Sequence, residues 1–178
     1  MTQNIQPVLD AVEAKFPGQG IAIAPLNPSA TSRVRQMCLR VPADKLREVF
    51  AFLQSDDRCR FDQVSDITCV DYLNFPDAED RYGVTYTIVS TTHTLRLWIK
   101  CMANDPNPVV PSAVPFWKGA DWLEREVFDL FGVTFEGHPD LRRIMTWDGF
   151  DAHPLRKDYP LRGRGERENY PVITTESA

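Results

Sequence analysis

YGVTYTIVSTTHTLRLWIKCM, residues 82–102, is two alternating runs joined by a polar pause. In the first run Tyr82, Val84, Tyr86 and Ile88 share one side, and Thr85 and Thr87 the other. In the second, Leu95, Leu97 and Ile99 alternate with Arg96, Trp98 and Lys100. A period of two marks β-strands with one buried face. Thr92-His93 leaves room only for a tight connection, so the two runs form an antiparallel hairpin.

Outward from the hairpin, residues 61–73 (FDQVSDITCVDYL) read as a third strand. Residues 33–41 (RVRQMCLRV) alternate as well, with Met37, Leu39 and Val41 on one side and Pro42 closing the run. Ile21 to Ala24 are a short apolar run that fits a first strand. Two segments have helical period instead. Residues 6–16 space Val8, Val12 and Phe16 and stop at Pro17-Gly18, while ADKLREVFAFLQ (43–54) carries a Leu46, Val49, Phe50, Leu53 stripe with Asp44 near its start. The order is helix, strand, strand, helix, three strands. That is an α+β layer, a mainly antiparallel sheet with helices packed on one face.

Residues 104–115 (NDPNPVVPSAVP) carry four prolines and are expected to be an extended loop without a regular element. A helix follows and ends at Gly132. On its wheel Ala120, Leu123, Val127, Leu130 and Phe131 form an apolar arc with Phe128 at the edge. Asp121, Arg125 and Asp129 form an i, i+4 ladder on the wet side. Glu124 projects into the apolar arc and Trp122 among the charges. A carboxylate on a buried face needs a cation or several donors, and an arginine from downstream (Arg142, Arg143 or Arg156) is the expected partner. Glu126 and Asp129 read as helix surface.

Beyond residue 135 no hydrophobic period survives, and Pro139, Pro154, Pro160 and Pro171 punctuate the chain. From His138 onward seven acids balance seven bases. The chain therefore divides into an α+β domain over 1–135 and an extended, irregular tail over 136–178. Such a tail is either disordered or laid along another protein. Trp147, Phe150, Tyr159 and Tyr170 favour the second.

Composition excludes several functions. A net charge of −5 argues against nucleic acid, which a basic face would meet. No apolar run is long enough to span a bilayer, and the start of the chain lacks the pattern of a signal peptide. Cys38, Cys59, Cys69 and Cys101 are scattered, with no paired spacing for zinc or a cluster, and Cys101 reads as a small buried hydrophobe. His138 and His153 each precede a proline, which suits a turn better than a metal site, although donation by His153 to a neighbouring protein stays open. The basic run LRKDYPLRGRGER is broken by Asp158, Glu166 and Glu168 and reads as inter-subunit salt bridging.

The stretch ERE-x-x-DLF at 124–131, followed by GVTFEG, His138, Arg142 and Ile144-Met145, resembles the signature of the C-type, or thirty-kilodalton, subunit family of NADH–quinone oxidoreductase, respiratory complex I. RFDQVSDITCVDY (60–72), VPSAVPFWKGADW (110–122), GHPDLRRIM (137–145) and HPLRKDYPL (153–161) extend the resemblance over about residues 45–162. Relative to the family's pattern, Phe150-Asp151-Ala152 lengthen the turn before His153.

The resemblance implies a structural subunit of the peripheral arm. It would lie beside the quinone-site neighbour (D) and the cluster-bearing neighbours (B and I), on the cytoplasmic side of a bacterial inner membrane, reaching the membrane only through the complex. The translocase as a whole uses NADH, FMN, iron–sulfur clusters and quinone. This chain is expected to bind none of them and to contribute no catalytic or metal-ligating residue. Glu124, Arg125, Glu126, Asp129, His138 and Arg142 are then motif residues with a structural role. Trp122, Trp147, His153, Arg156, Lys157, Asp158 and Tyr159 are interface candidates, Trp147 with packing on its own domain as the alternative. Two rivals are an equivalent component of a membrane-bound hydrogenase or ferredoxin-fed quinone reductase, and a free-standing acid/base enzyme using Glu124, Asp129 and His138.

Overall fold

A computed structural model of the chain describes residues 4–26, 36–76 and 78–165. Positions 33–35 of the expected second strand, and Glu166, Glu168, Tyr170 and Pro171 of the tail, lie outside the described residues. Helix α1 (Gln6–Lys15) precedes strands β1 (Ala22–Pro25) and β2 (Met37–Arg40). A 3-10 turn, Ala43–Lys45, leads into α2 (Leu46–Ser55), then β3 (Gln63–Asp71), β4 (Tyr82–Ser90) and β5 (Leu95–Ala103). These five strands form one sheet in the order β1-β2-β5-β4-β3. Every neighbouring pair is antiparallel except β2 with β5. The architecture is the expected α+β layer.

The alternation in the sequence becomes the two sides of this sheet. β4 and β5 pair as a hairpin, with Tyr86 opposite Ile99 and Thr87 opposite Trp98. Tyr82, Val84, Tyr86, Ile88, Leu97, Ile99 and Cys101 are fully buried, as is the Leu46, Val49, Phe50, Leu53 stripe of α2. The Phe50 ring stands edge-on to Tyr86 at 5.0 Å and to Trp117 at 5.2 Å. Arg96, Trp98 and Lys100 lie on the other side of β5, which stays partly open. A cleft of about 530 Å³ lies there, with Arg40, Tyr72, Phe75, Lys100 and Met102 in its wall. All four cysteines are free and buried. Burial pushes the Cys101 thiol up to about 12, so it is a packing group.

The proline-rich stretch contains a regular element after all. Val109–Pro111 form β6, which pairs in parallel with β7 (Thr134–Glu136). Prolines are tolerated because the ribbon is only three residues long and Pro111 sits at its end. The Thr134 N–H bonds the Pro108 carbonyl at 2.8 Å, and the Ser112 N–H bonds the Glu136 carbonyl at 3.0 Å. A boundary at residue 135 would therefore cut through β7. Helix α3 (Ala120–Phe131) ends as expected at Gly132, whose φ of 74° is left-handed and whose N–H returns to the Phe128 carbonyl at 2.8 Å.

Candidate functional site: helix α3 and its strap

Helix α3 carries most of the motif residues, and it is buried from two sides rather than one. Ala120, Glu124, Val127 and Phe131 are buried along the expected apolar arc. Arg125 and Asp129, expected on the wet face, are buried too, because the chain after Gly137 folds back over them. We call residues 137–159 the strap. The ladder of Asp121, Arg125 and Asp129 does not form. Arg125 instead donates Nε to the Arg142 carbonyl at 3.2 Å and Nη2 to the Arg143 carbonyl at 3.3 Å.

The expected arginine partner goes to a different acid. Arg143 Nη1 meets Asp129 Oδ1 at 2.6 Å, in an ion pair whose carboxylate side chain is fully buried. Thr146 Oγ1 also donates to Oδ1, at 2.5 Å. Oδ2 accepts the N–H groups of Ile144, Met145 and Thr146 at 2.9, 2.7 and 2.8 Å. Burial alone would raise this carboxyl, but the Thr146 hydroxyl and the three N–H groups outweigh it and hold it down to about 2. One carboxylate thus organises a turn of the strap.

Glu124 has a different environment. Its side chain is fully buried, yet among the described residues no arginine or lysine reaches it. Oε2 accepts the Ser112 hydroxyl at 2.7 Å and Oε1 the Ala113 N–H at 2.5 Å. Burial pushes the carboxyl up to about 7 against the pull of these two donors. The helical wheel shows that Glu124 faces inward, but not that it faces the β6 segment instead of the strap. Arg142, another of the three candidate arginines, pairs on the surface with Asp140 at 2.8 Å.

The strap completes the end of α3. The last four carbonyls of a helix lack partners within it. Here Gly132 takes that of Phe128. His153 Nδ1 donates to the Asp129 carbonyl at 2.8 Å, Leu155 N–H to Leu130 at 3.0 Å, and Arg156 Nε to Phe131 at 2.6 Å. The guanidinium also brings positive charge to the negative end of the helix dipole. Burial lowers His153, which suits a neutral ring. At the other end His138 Nδ1 accepts the Asp140 N–H at 3.0 Å, so the ring proton sits on Nε2, 3.1 Å from the Asp121 carbonyl it serves.

HPLRKDY then fastens the strap to the sheet edge. The Lys157 N–H reaches Asp71 Oδ2 at 2.8 Å, and Asp158 reaches Arg81 Nη2 at 3.0 Å. Arg81 grips Asp71 through Nε at 3.2 Å and Nη2 at 3.1 Å, and Asp105 through Nη1 at 2.5 Å. Burial would raise Asp71, but the Arg81 guanidinium and two backbone N–H groups hold it below the usual carboxylate range. Asp71, Arg81 and Asp105 were not singled out from the sequence, and Arg143 was singled out for the wrong acid. Asp71 does lie in a stretch that carries the family resemblance, but beyond the neighbouring Leu73 N–H its partners are 10 and 86 residues away.

Along 138–159 much of the tail lies on its own domain, bonded to α3 and to the sheet edge. Phe150 is buried, 4.8 Å from Trp147 and 5.9 Å from Tyr159, so the lengthened turn carries an aromatic plug. Glu126 is exposed, as are Lys157 and Asp158. Large apolar groups remain in solvent, notably Trp122 at 70%, Met145 at 62% and Leu161 at 103%. Among the described residues there is no group of three His, Cys, Asp or Glu able to hold a metal ion, and no helix long and apolar enough to cross a membrane.

Residues 39–165 match the model of the family described as "Respiratory-chain NADH dehydrogenase, 30 Kd subunit". The chain belongs to this family. Among relatives of the 30 Kd family, the C-type subunit of NADH-quinone oxidoreductase from Brucella ovis is 47% identical over 128 residues, covering 72% of this chain and 61% of that protein. The mitochondrial NADH-ubiquinone oxidoreductase 30.4 kDa subunit of Neurospora crassa is 52% identical over 130 residues, covering 71% and 44%. The chain spans about half the length of the curated relatives it matches. Among solved structures, the trypsin-resistant fragment (1–134) of Nqo5 superposes with a TM-score of 0.64 at 30% identity, covering 77% of this chain and 98% of that one. A chain of the membrane-bound sulfane sulfur reductase, an archaeal respiratory membrane complex, gives 0.68 at 23% identity over 94% and 92%. That second likeness speaks for a shared fold.

Proposed function

We propose that this 30 Kd family member is a non-catalytic assembly subunit of the peripheral arm of a proton-translocating NADH:quinone oxidoreductase. It would hold the quinone-site neighbour (D) and the cluster-bearing neighbours (B and I) in register, and would touch the membrane's cytoplasmic side only through the complex. NADH, FMN, the clusters and quinone would be bound by other members of the complex. The observation that carries this reading is the division of labour around α3. Glu124, Arg125, Asp129 and His138 are all engaged in internal hydrogen bonds, while Trp122, Met145 and Leu161 stand in solvent. Internally bonded polar groups build a rigid platform. Exposed large apolar groups beside it are what a protein partner covers.

The same geometry argues against a free-standing acid/base enzyme. Glu124 meets the β6 segment and Asp129 meets the strap, so the two carboxylates address no common substrate. Purification through a tag on this chain from solubilised membranes tests the assignment. The expected result is equimolar recovery of iron–sulfur and quinone-site subunits together with a flavin- and NADH-binding one. A hydrogenase large subunit in place of the NADH-binding one would move the chain to a related complex, a reading the fold shared with the sulfane sulfur reductase keeps in view. Recovery of the chain alone from the soluble fraction would overturn the assignment.

A further inference from the structure

Among the described residues three carboxylates are deeply buried, and two of them are supplied with cations. Asp129 receives a guanidinium, a hydroxyl and three N–H groups, and Asp71 a two-pronged guanidinium and two N–H groups. Glu124 receives one hydroxyl and one N–H. The Ser112 hydroxyl, which donates to Glu124, also accepts the Val114 N–H at 3.2 Å and so ties the carboxyl to the segment after β6. Among the described residues, the ionisable groups facing Glu124 add no positive charge. Asp121 precedes it on α3, and Tyr86 faces it from β4 with Cys69 and Cys101 beside it. The Tyr86 hydroxyl is buried without a hydrogen-bond partner. An ionised carboxylate in such a place carries a desolvation cost that two neutral donors do not offset.

The position gives this acid leverage. Ser112 and Ala113 follow directly on β6, and the Ser112 N–H bonds Glu136, the residue before the strap begins. We propose that Glu124 is held as a neutral acid in the resting fold, and that its ionisation loosens residues 109–114 and the root of the strap, making this junction a pH-responsive hinge. The sign follows from burial. The folded state keeps a proton that the unfolded chain releases, so the acid stabilises the fold below the unfolded value of 4.5, and that contribution is lost as pH rises to about 7. The interval between those values corresponds to about 300-fold in the equilibrium.

Hydrogen exchange of the full chain, corrected for intrinsic rates, tests the hinge between about pH 5 and pH 8.5, a range that brackets the folded value of Glu124. Wild-type amides of 109–114 and 134–138 are expected to lose protection on the order of 100-fold over this range, nearly all of it between pH 5 and about 7 and levelling off above, while Glu124→Gln loses none. Infrared difference spectra should show a carboxylic-acid carbonyl band on the acid side that fades across neutrality and is absent in the variant. Should Glu124→Gln fail to fold, Ser112→Ala replaces it: loss of a donor must move the wild-type midpoint upward. Protection in these segments that ignores pH, a profile shared by wild type and Glu124→Gln, or a midpoint unmoved in Ser112→Ala would each overturn the hinge. None of these readouts depends on which complex the chain joins.

Discussion

Replacing Asp129 by alanine removes the acceptor of five hydrogen bonds at once, from Arg143, Thr146 and the N–H groups of residues 144–146. Two routes give the magnitude. Breaking a buried ion pair by deleting one partner costs about 3–5 kcal/mol. Independently, a carboxyl held at about 2 in the fold against an ordinary 3.8 contributes about 2.5 kcal/mol at neutral pH. That second contribution is complete above the unfolded value and disappears as pH falls toward 2. The second figure and the low end of the first place Asp129→Ala at a loss of about 3 kcal/mol in denaturant unfolding at neutral pH. The loss is expected to be local first: amides of 138–159 exchange faster, whereas β4 and β5 keep their protection. Asp129→Asn retains an oxygen for the three N–H groups but leaves Arg143 without its charge, so it should fall between wild type and alanine. If 144–146 exchange at the wild-type rate in Asp129→Ala, the carboxylate does not organise the strap.

Other perturbations separate the fastenings. Gly132→Ala forces a side chain onto a φ of 74° and into contact with Arg156 and with the His153 ring 2.6 Å away. It should cost at least about 1–2 kcal/mol from the backbone alone and release 153–156 in exchange experiments. Arg81→Met deprives buried Asp71 of its cation and Asp158 of its partner. Here residues 157–159 should loosen, with a loss of about 3–5 kcal/mol, while 144–146 stay protected. Trp122→Ala should leave unfolding within about 0.5 kcal/mol of wild type, because the ring is 70% exposed. The same change should weaken recovery of partner subunits in the tagged purification, by roughly 30-fold in affinity if the indole is an anchor worth about 2 kcal/mol.

Where one face of one element decided the outcome, the sequence was readable. The alternation through 82–102 and the Leu46, Val49, Phe50, Leu53 stripe marked the sheet and its covering helix, because burial there follows a fixed period. The β6–β7 ribbon was hidden, since a parallel pair three residues long has no period of its own and its strands are separated by all of α3. The exchange of roles between Glu124 and Asp129 was hidden for a related reason. A wheel shows one helix in isolation and cannot tell which flank the later chain will cover. Aromatic residues at Trp147, Phe150 and Tyr159 signalled that the tail must cover something, and the nearest uncovered surface was the helix just before it.

The end of α3 is finished by residues made well after it, up to 25 positions further along the chain. The carbonyls of Asp129, Leu130 and Phe131 wait for His153, Leu155 and Arg156. A growing chain adds about 5–20 residues each second, so there is an interval of roughly a second or more in which the helix exists with a frayed terminus and the sheet without its clasp. During that interval α3 presents two damp flanks rather than one, and a chaperone or an early-arriving neighbour has access to Arg125 and Asp129 that the mature fold denies.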